Sequence, residues 1–447
     1  LSETCRKKLI KFENSLKVVE KGIIYLLTGF GIILLLFTLF HPPLLWDEVV
    51  FLSNAKAVIG ESNYVENFRP PLLPLLIGSV WRITGKDIII AKLLVASFSL
   101  FSLYMFYLIA KLYLRRQYAI LSTFLLASSH LFLYWAFRVY TDIPHLFFIL
   151  FSFYLFRRKK YFLSGIAICL GFLTRFTAAI FGFSMFLYFI FYRKFRELRS
   201  FLAGFIILVP WLTYNLIMYG NPIYDFYMDY VLSSSWSAPY REPEIKVVEN
   251  LMNAMNFMLP FLLLSIPQLN KEENFCILSY LLLSIIFMLI MNLKDPRYLL
   301  MILPFLYLLS SQGISSLEQR KVAVPFIGLF IAFSTFQIIR ALENEGKCWQ
   351  STWEAIVYIS DRATENDTII SNFWPYFGFF TKSKVFSNYD ELGNLIRYHH
   401  PSFLVFREDE RMPRPEVIGI VNEKVIEGIC SNVWIYEIEN SSLIYEA

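Results

Sequence analysis

The sequence predicts a polytopic α-helical membrane protein carrying a C-terminal α/β domain on the far side of the bilayer. Three observations lead there. First, the 447 residues are 56% hydrophobic and 18% aromatic but only 17% charged, whereas soluble domains carry about 25% charged residues. Second, apolar runs of roughly 20 residues, the length that crosses a bilayer, recur along most of the chain. Third, the composition changes near Ala341: from there to the end nine Lys and Arg face 17 Asp and Glu, against an overall charge of +5.

The apolar runs place about eleven helices, near residues 22–41, 88–112, 118–137, 142–156, 161–174, 176–192, 200–219, 251–268, 275–292, 298–316 and 322–339. The segment before Gly22 is basic (Arg6, Lys7, Lys8, Lys11, Lys17, Lys21) and lacks a small-residue cleavage site, so the first helix is expected to be retained. Arg115-Arg116, Arg157 to Lys160, Arg193 to Arg199 and Arg320-Lys321 fall on the same side as that basic start. The positive-inside rule then sets the N-terminus in and the C-terminus out. The basic balance of 1–341 is therefore topology, and no nucleic-acid partner is implied. The stretch 161–192 is read as two tight helices turning at Thr174-Arg175.

Two outer segments follow, residues 42–86 and 220–250. In the first, Val49 to Ile59 looks amphipathic, with Asn54 and Lys56 on its polar side, and suits the membrane interface. The third outer part, 342–447, reads as a small α/β domain. Trp349 to Ser360 and Asp390 to Tyr398 have helical spacing; Asp367 to Ser371, Ser402 to Phe406 and Val433 to Ile438 read as strands of a partly parallel sheet. It shows no glycine-rich phosphate loop. Cys348 and Cys430 both lie in this part, where oxidation permits a disulfide, while Cys169 and Cys276 fall in apolar runs and suit buried thiols.

Polar residues at the predicted outer helix ends carry the chemistry. Asp47 and Glu48 in Leu45-Trp46-Asp47-Glu48 are adjacent carboxylates at a membrane exit, which costs desolvation unless they stay wet or act. They equally suit a helix start, a general base for a hydroxyl, or ligands for a divalent cation. Asp142, in Arg138-Val139-Tyr140-Thr141-Asp142-Ile143-Pro144, also suits a helix N-terminus, which leaves Arg138 at the same depth unexplained. Arg69 precedes Pro70-Pro71 in an extended turn and could simply reach for headgroups. Arg175 lies in an apolar hairpin, where an arginine is costly and usually paired with an anion. Lys294-Asp295-Pro296-Arg297-Tyr298 adds a further cationic site at an outer helix start. Such fixed cations suit a lipid-linked phosphate. His145 and His399-His400 lack metal spacing and read as satisfied or solvent-facing.

The order Trp46-Asp47-Glu48, Arg69-Pro70-Pro71-Leu72, Thr141-Asp142-Ile143-Pro144, Leu173-Thr174-Arg175, Pro210-Trp211 with Gly220-Asn221-Pro222, and Arg297-Tyr298 with Pro304 resembles the C-superfamily membrane glycosyltransferases. It is most similar to the branch of dolichyl-phosphate-mannose protein mannosyltransferases and the lipid A aminoarabinose transferase, over about residues 20–340. The resemblance implies a sugar donor on a polyprenyl phosphate, used at the outer face of the cell membrane on a protein, lipid or glycan acceptor. It further implies Asp47 as catalytic base, Glu48 beside it, Asp142 as a second acid of the site, and Arg69, Arg175, Arg297 and Tyr298 toward the donor phosphate; Arg138 joins them by its proximity in sequence. No cofactor is certain; a divalent cation stays open, since the His/Glu metal site of some relatives has no clear counterpart. The alternative class is a transporter or flippase for lipid-linked or sugar substrates, although no inverted repeat is evident.

Overall fold

The computed structural model describes residues 3–41, 43–61, 64–268, 270–387, 398–408 and 422–438. The described chain is mostly helical, with one small sheet near its end. Among the described residues six helices are long and apolar enough to cross a membrane: Lys21–Phe40, Ile88–Tyr113, Phe195–Tyr219, Ile245–Ser265, Glu272–Ile290 and Arg320–Ser360. Tyr161–Thr174 and Ala178–Phe191 are shorter apolar helices. The expected helix 118–137 is two, Arg116–Ser128 and His130–Trp135. Its break falls at Ser129, whose hydroxyl accepts from the Phe132 N–H and so caps the second helix.

The chain divides into two compact units. One comprises 1–40, 68–72 and 92–338. Its helices pack through aromatic and small residues: Phe153, Phe181, Tyr280 and Phe305 stack in a buried group. Gly165 and Gly204 let two backbones touch, because a Cβ on Gly165 would stand 2.0 Å from the Phe201 carbonyl oxygen and one on Gly204 2.4 Å from that of Phe162. Basic turns close two helical hairpins in this unit, with Lys159 and Arg193 in the left-handed region at φ 59° and 54°.

The other unit gathers 41–67, 73–91 and 339–447. Its sheet has the order β2-β1-β3-β5-β4, with β1 Thr368–Ser371, β2 Lys384–Ser387, β3 Phe403–Arg407, β4 Asn422–Ile426 and β5 Val433–Glu437. β1 runs parallel to β2 and β3, while β5 is antiparallel to β3 and β4. The expected strands correspond to β1, β3 and β5. The reading overlooked β2 and β4, which are edge strands with short or polar sequences. Ile370, Leu404, Phe406 and Tyr436 form the core on the sheet. Most of the helix expected over Asp390 to Tyr398 lies outside the described residues.

Two expectations change. The helix read at Trp349 to Ser360 is the end of one continuous helix, Ala323–Ser360. The linking residues Arg340 to Cys348 are mostly good helix formers, and the one glycine, Gly346, is tolerated. The stretch Val49 to Ile59 is helical as Trp46–Val58, but Glu48 through Lys56 are all buried. Asn54 is spent on the backbone of Glu66, giving and receiving at 3.0 Å. The Lys56 ammonium donates to the carbonyls of Phe379 and Gly378 at 2.9 and 3.4 Å. These polar groups are satisfied by protein, so this helix is no surface-lying amphipath. Cys348 and Cys430 form a disulfide with Cα atoms 5.1 Å apart.

Candidate functional site

In the first unit the sequence places charged residues at helix ends, and the packing brings several together. Asp142 opens the helix Asp142–Arg157, with Pro144 in its first turn, where neither acid nor proline is unfavourable. Arg175 ends the helix Tyr161–Thr174 by turning extended, at φ −157° and ψ 123°. Its side chain meets Asp142 with 2.8 Å between nitrogen and oxygen, and also reaches the Thr141 hydroxyl at 3.5 Å. Asp142 is 4% exposed and Arg175 16%, so this is the anionic partner that an intramembrane arginine requires.

Arg297 enters from the 3-10 turn Pro296–Met301. Asp295 caps that turn by accepting the Arg297 N–H at 2.9 Å, and it also pairs with the Arg297 side chain at 2.9 Å. The Tyr298 ring is 5.5 Å from the Arg175 guanidinium and 5.9 Å from that of Arg297. Arg297 is also 5.7 Å from the Tyr140 ring. The Tyr140 ring packs edge-on against Trp135 at 4.7 Å. Arg138 is fully buried, with its guanidinium 4.4 Å from the Tyr134 ring. Arg175, Asp142, Arg297, Asp295, Tyr298 and Tyr140 thus form one linked group in which two arginines meet two aspartates, while Arg138 contacts the Tyr134 and Phe137 rings. A guanidinium has five donors in a fixed fork, and Arg175 already divides its own between Asp142 and Thr141.

Sequence reading missed Asp295 as the counter-ion of Arg297, although Asp-Pro at a helix start is a visible cap signal. Tyr140 was likewise not foreseen, and His145 was expected to be satisfied or solvent-facing. His145 is buried, one helical turn below Asp142, with its Nε2 3.5 Å from the Thr177 hydroxyl. Arg69 stands against its neighbour Phe68, whose ring packs on Trp236 at 6.1 Å. Nearby in sequence, Asp225 is buried and accepts from Trp211 Nε1 at 3.0 Å. Burial pushes its carboxyl above the ordinary 3.8, against the lowering effect of the Trp211 and Asn215 side chains.

The second unit holds Asp47 and Glu48. Glu48 is fully buried, and its carboxylate accepts the Leu45 N–H at 2.9 Å, so it closes the helix start from inside. Asp47, one residue earlier, is half-buried. The segment is pinned by aromatics: Trp46 meets Trp374 edge-on at 4.8 Å, and the Tyr376 hydroxyl donates to the Leu44 carbonyl at 3.1 Å. Burial raises the Tyr376 phenol well above its ordinary range; Arg407 opposes this, and Glu48, Asp47 and Glu345 add to it. Glu345 accepts from His41 at 3.0 Å. Among the described residues no three His, Cys, Asp or Glu side chains assemble into a metal-holding group.

Residues 68–215 match the family model described as dolichyl-phosphate-mannose-protein mannosyltransferase. That span includes Arg69, Arg138, Asp142 and Arg175. No curated protein matches the chain. Among solved structures the chain is similar to ArnT from Cupriavidus metallidurans in the apo state, with 13% identity and a TM-score of 0.69 over 93% of this chain and 98% of that one. The same protein bound to undecaprenyl phosphate gives 12% and 0.70 over 92% and 97%. The archaeal oligosaccharyltransferase AglB from Archaeoglobus fulgidus, in complex with an inhibitory peptide and a dolichol-phosphate, gives 12% and 0.57 over 86% and 69%. The chain thus has the fold of ArnT, and residues 68–215 match the dolichyl-phosphate-mannose-protein mannosyltransferase family model.

Proposed function

We propose that this protein transfers a sugar from a polyprenyl phosphate to an acceptor hydroxyl at the outer face of a cell membrane. The observation that carries this reading is the buried Asp142–Arg175 pair with Arg297 and Tyr298 beside it. It is a pre-set pair of guanidiniums held by carboxylates at helix ends, lying partly within the segment that matches a family acting on dolichyl-phosphate-mannose. A relative of the same fold binds undecaprenyl phosphate and another a dolichol-phosphate, which supports a polyprenyl phosphate here.

The chemistry follows from charge. A phosphate leaving group is already a stable anion, so it needs fixed cations more than a proton donor. Arg175 and Arg297 supply them, with Asp142 and Asp295 holding the guanidiniums in place and Arg138 reinforcing the positive field. An acceptor hydroxyl is a weak nucleophile and needs a carboxylate base. Asp47 takes that role, because Glu48 is committed to the Leu45 N–H. The acceptor oxygen forms a bond to the anomeric carbon as the carbon–phosphate oxygen bond breaks. The electron pair leaves on the lipid phosphate, and the hydroxyl proton passes to Asp47. Direct displacement inverts the anomeric configuration. Whether the sugar is a hexose or a pentose, and whether the acceptor is protein, lipid or glycan, is set by parts of the site that bind them.

We further infer about eleven spans, with the N-terminus in and the C-terminal domain outside. The alternating basic loops support this topology, as does the Cys348–Cys430 disulfide, which belongs in an oxidising compartment. The test is transfer from labelled polyprenyl-phosphate sugars in proteoliposomes. Asp47→Asn should abolish product while donor still binds, and Glu48→Gln should lower stability more than turnover. Equal turnover by wild type and Asp47→Asn sinks the base assignment, and a product of retained configuration sinks the displacement.

A further inference from the structure

The helix Ala323–Ser360, at 38 residues, is longer than a bilayer span requires. At about 1.5 Å per residue, Trp349 stands about 39 Å and Trp353 about 45 Å beyond Ala323. The hydrocarbon core is about 30 Å thick. At a tilt of about 20° Trp353 falls about 12 Å past that thickness, beyond the headgroup layer, whereas Trp349, about 7 Å past it, is still within headgroup depth. A membrane belt therefore does not account for Trp353.

The surroundings of the two indoles do point to a ligand. The two rings are near-parallel, with centroids 6.0 Å apart and planes at 25°. Trp349 is backed by Tyr376 at 5.7 Å and Trp353 by Phe380 at 5.5 Å. Trp353 is nevertheless 43% exposed. Gln350 and Glu354 lie on the same helical face and hydrogen-bond each other at 3.2 Å. This leaves a polar rim of amide and carboxylate alongside the aromatic planes. Helical side chains lean toward the N-terminus, so the Trp349 ring lies over the residue a turn earlier. That residue is Gly346, and the space around it is open. The backing is rigid: Cys348 is bonded to Cys430, and the Ser351 hydroxyl donates to the Ser431 carbonyl.

We propose that Trp349, Gln350, Trp353 and Glu354 form a saccharide-binding platform that holds the acceptor of the reaction. The apolar face of a pyranose stacks on an indole, and its hydroxyls take hydrogen bonds from a flanking amide and carboxylate. The acidic balance of this part of the chain, nine Lys and Arg against 17 Asp and Glu from Ala341 on, favours neutral or amino sugars over acidic ones. The assignment of an acceptor rests on the glycosyltransferase reading, whereas the binding itself does not.

The experiment is saturation-transfer NMR on the purified full-length protein. Its probes are an α-linked mannose trimer, a β-linked N-acetylglucosamine trimer and a galacturonic acid trimer. A neutral trimer should receive saturation from the wild type and the acidic trimer should not. Trp353→Ala and Gly346→Leu, which fills the turn that the Trp349 ring lies over, should reduce the effect at least tenfold. Trp353→Phe should retain most of it. In transfer assays with the bound trimer as acceptor, Trp353→Ala should raise the acceptor KM about tenfold and leave kcat and the donor KM unchanged. Absence of saturation with all three trimers overturns the platform, as does equal binding by wild type and Trp353→Ala. Loss of vesicle association by Trp353→Ala, with trimer binding intact, overturns it in favour of a membrane anchor. Trimer binding that depends on Trp353, without any sugar transfer, would sustain the platform and sink the glycosyltransferase reading instead.

Discussion

At the residue scale, the Asp142–Arg175 pair is worth most when both members are present. Breaking a buried ion pair strands a charge and typically costs about 3–5 kcal/mol. Asp142→Ala should therefore destabilise the protein by an amount of that order. Asp142→Asn should cost less, because the amide oxygen still accepts from Arg175. Arg175→Lys keeps the charge but loses the planar fork that can serve Asp142 and a phosphate together. Its expected outcome is a donor KM raised at least tenfold in the proteoliposome assay, with the fold retained. A donor KM equal to that of wild type would remove Arg175 from phosphate binding. Glu48 shows why carboxylates at helix starts are ambiguous in sequence: a base and a cap draw on the same residue type, and only the 2.9 Å contact to the Leu45 N–H separates them.

At the element scale, the helix Trp46–Val58 is locked onto the helix Trp374–Phe380 by Lys56. Burial, with Lys86 adding repulsion, lowers the Lys56 pKa from 10.5 to about 8. The folded state thus releases this proton before the unfolded chain does. Between pH 8 and 10.5 the unfolded state binds more protons, so this group's contribution makes stability rise with pH. Thermal unfolding followed by circular dichroism should show that rise, and Lys56→Met should flatten it. A slope identical in the variant would mean that other groups set it. The Gly165–Gly204 contact predicts a second element-scale effect. Gly165→Val places a branched side chain where even a Cβ stands 2.0 Å from a carbonyl oxygen. Strain of at least about 1–3 kcal/mol follows, measurable as a lowered Tm, whereas Gly346→Ala on the open helix face should raise it slightly.

At the scale of the whole molecule, the disulfide joins residues 82 apart in sequence. Closing a loop of that length in the unfolded chain is expected to stabilise the fold by about 2–4 kcal/mol. The double variant Cys348→Ser with Cys430→Ser should show a loss of that size in denaturant titration, confined to the transition reported by probes in 339–447. Reductant should reproduce it in the wild type. An unchanged transition would show that the sheet and its helices hold this end of the helix Ala323–Ser360 unaided. The chain also gathers 41–67 and 73–91 with 339–447 into one compact unit. The acids at 47 and 48 therefore share a unit with the C-terminal sheet, to which no linear reading of hydropathy assigns them.

The sequence by itself determined the membrane class, the basic turns, the β1, β3 and β5 strands and the residue types of the cationic group. Each rests on a local rule: a run of apolar residues must leave water, a strand alternates or is buried, and an arginine in an apolar hairpin requires an anion. It also placed Cys348 and Cys430 in a region where they could bond. Tertiary structure alone decided which anion Arg175 meets, because Asp142 lies 33 residues away and is chosen by how two helices pack. It likewise decided that Asn54 and Lys56 are buried, since their periodicity is that of a surface helix until another helix covers it. Sequence spacing measures distance along a chain; pairing energies depend on distance through space, and only the folded packing converts one into the other.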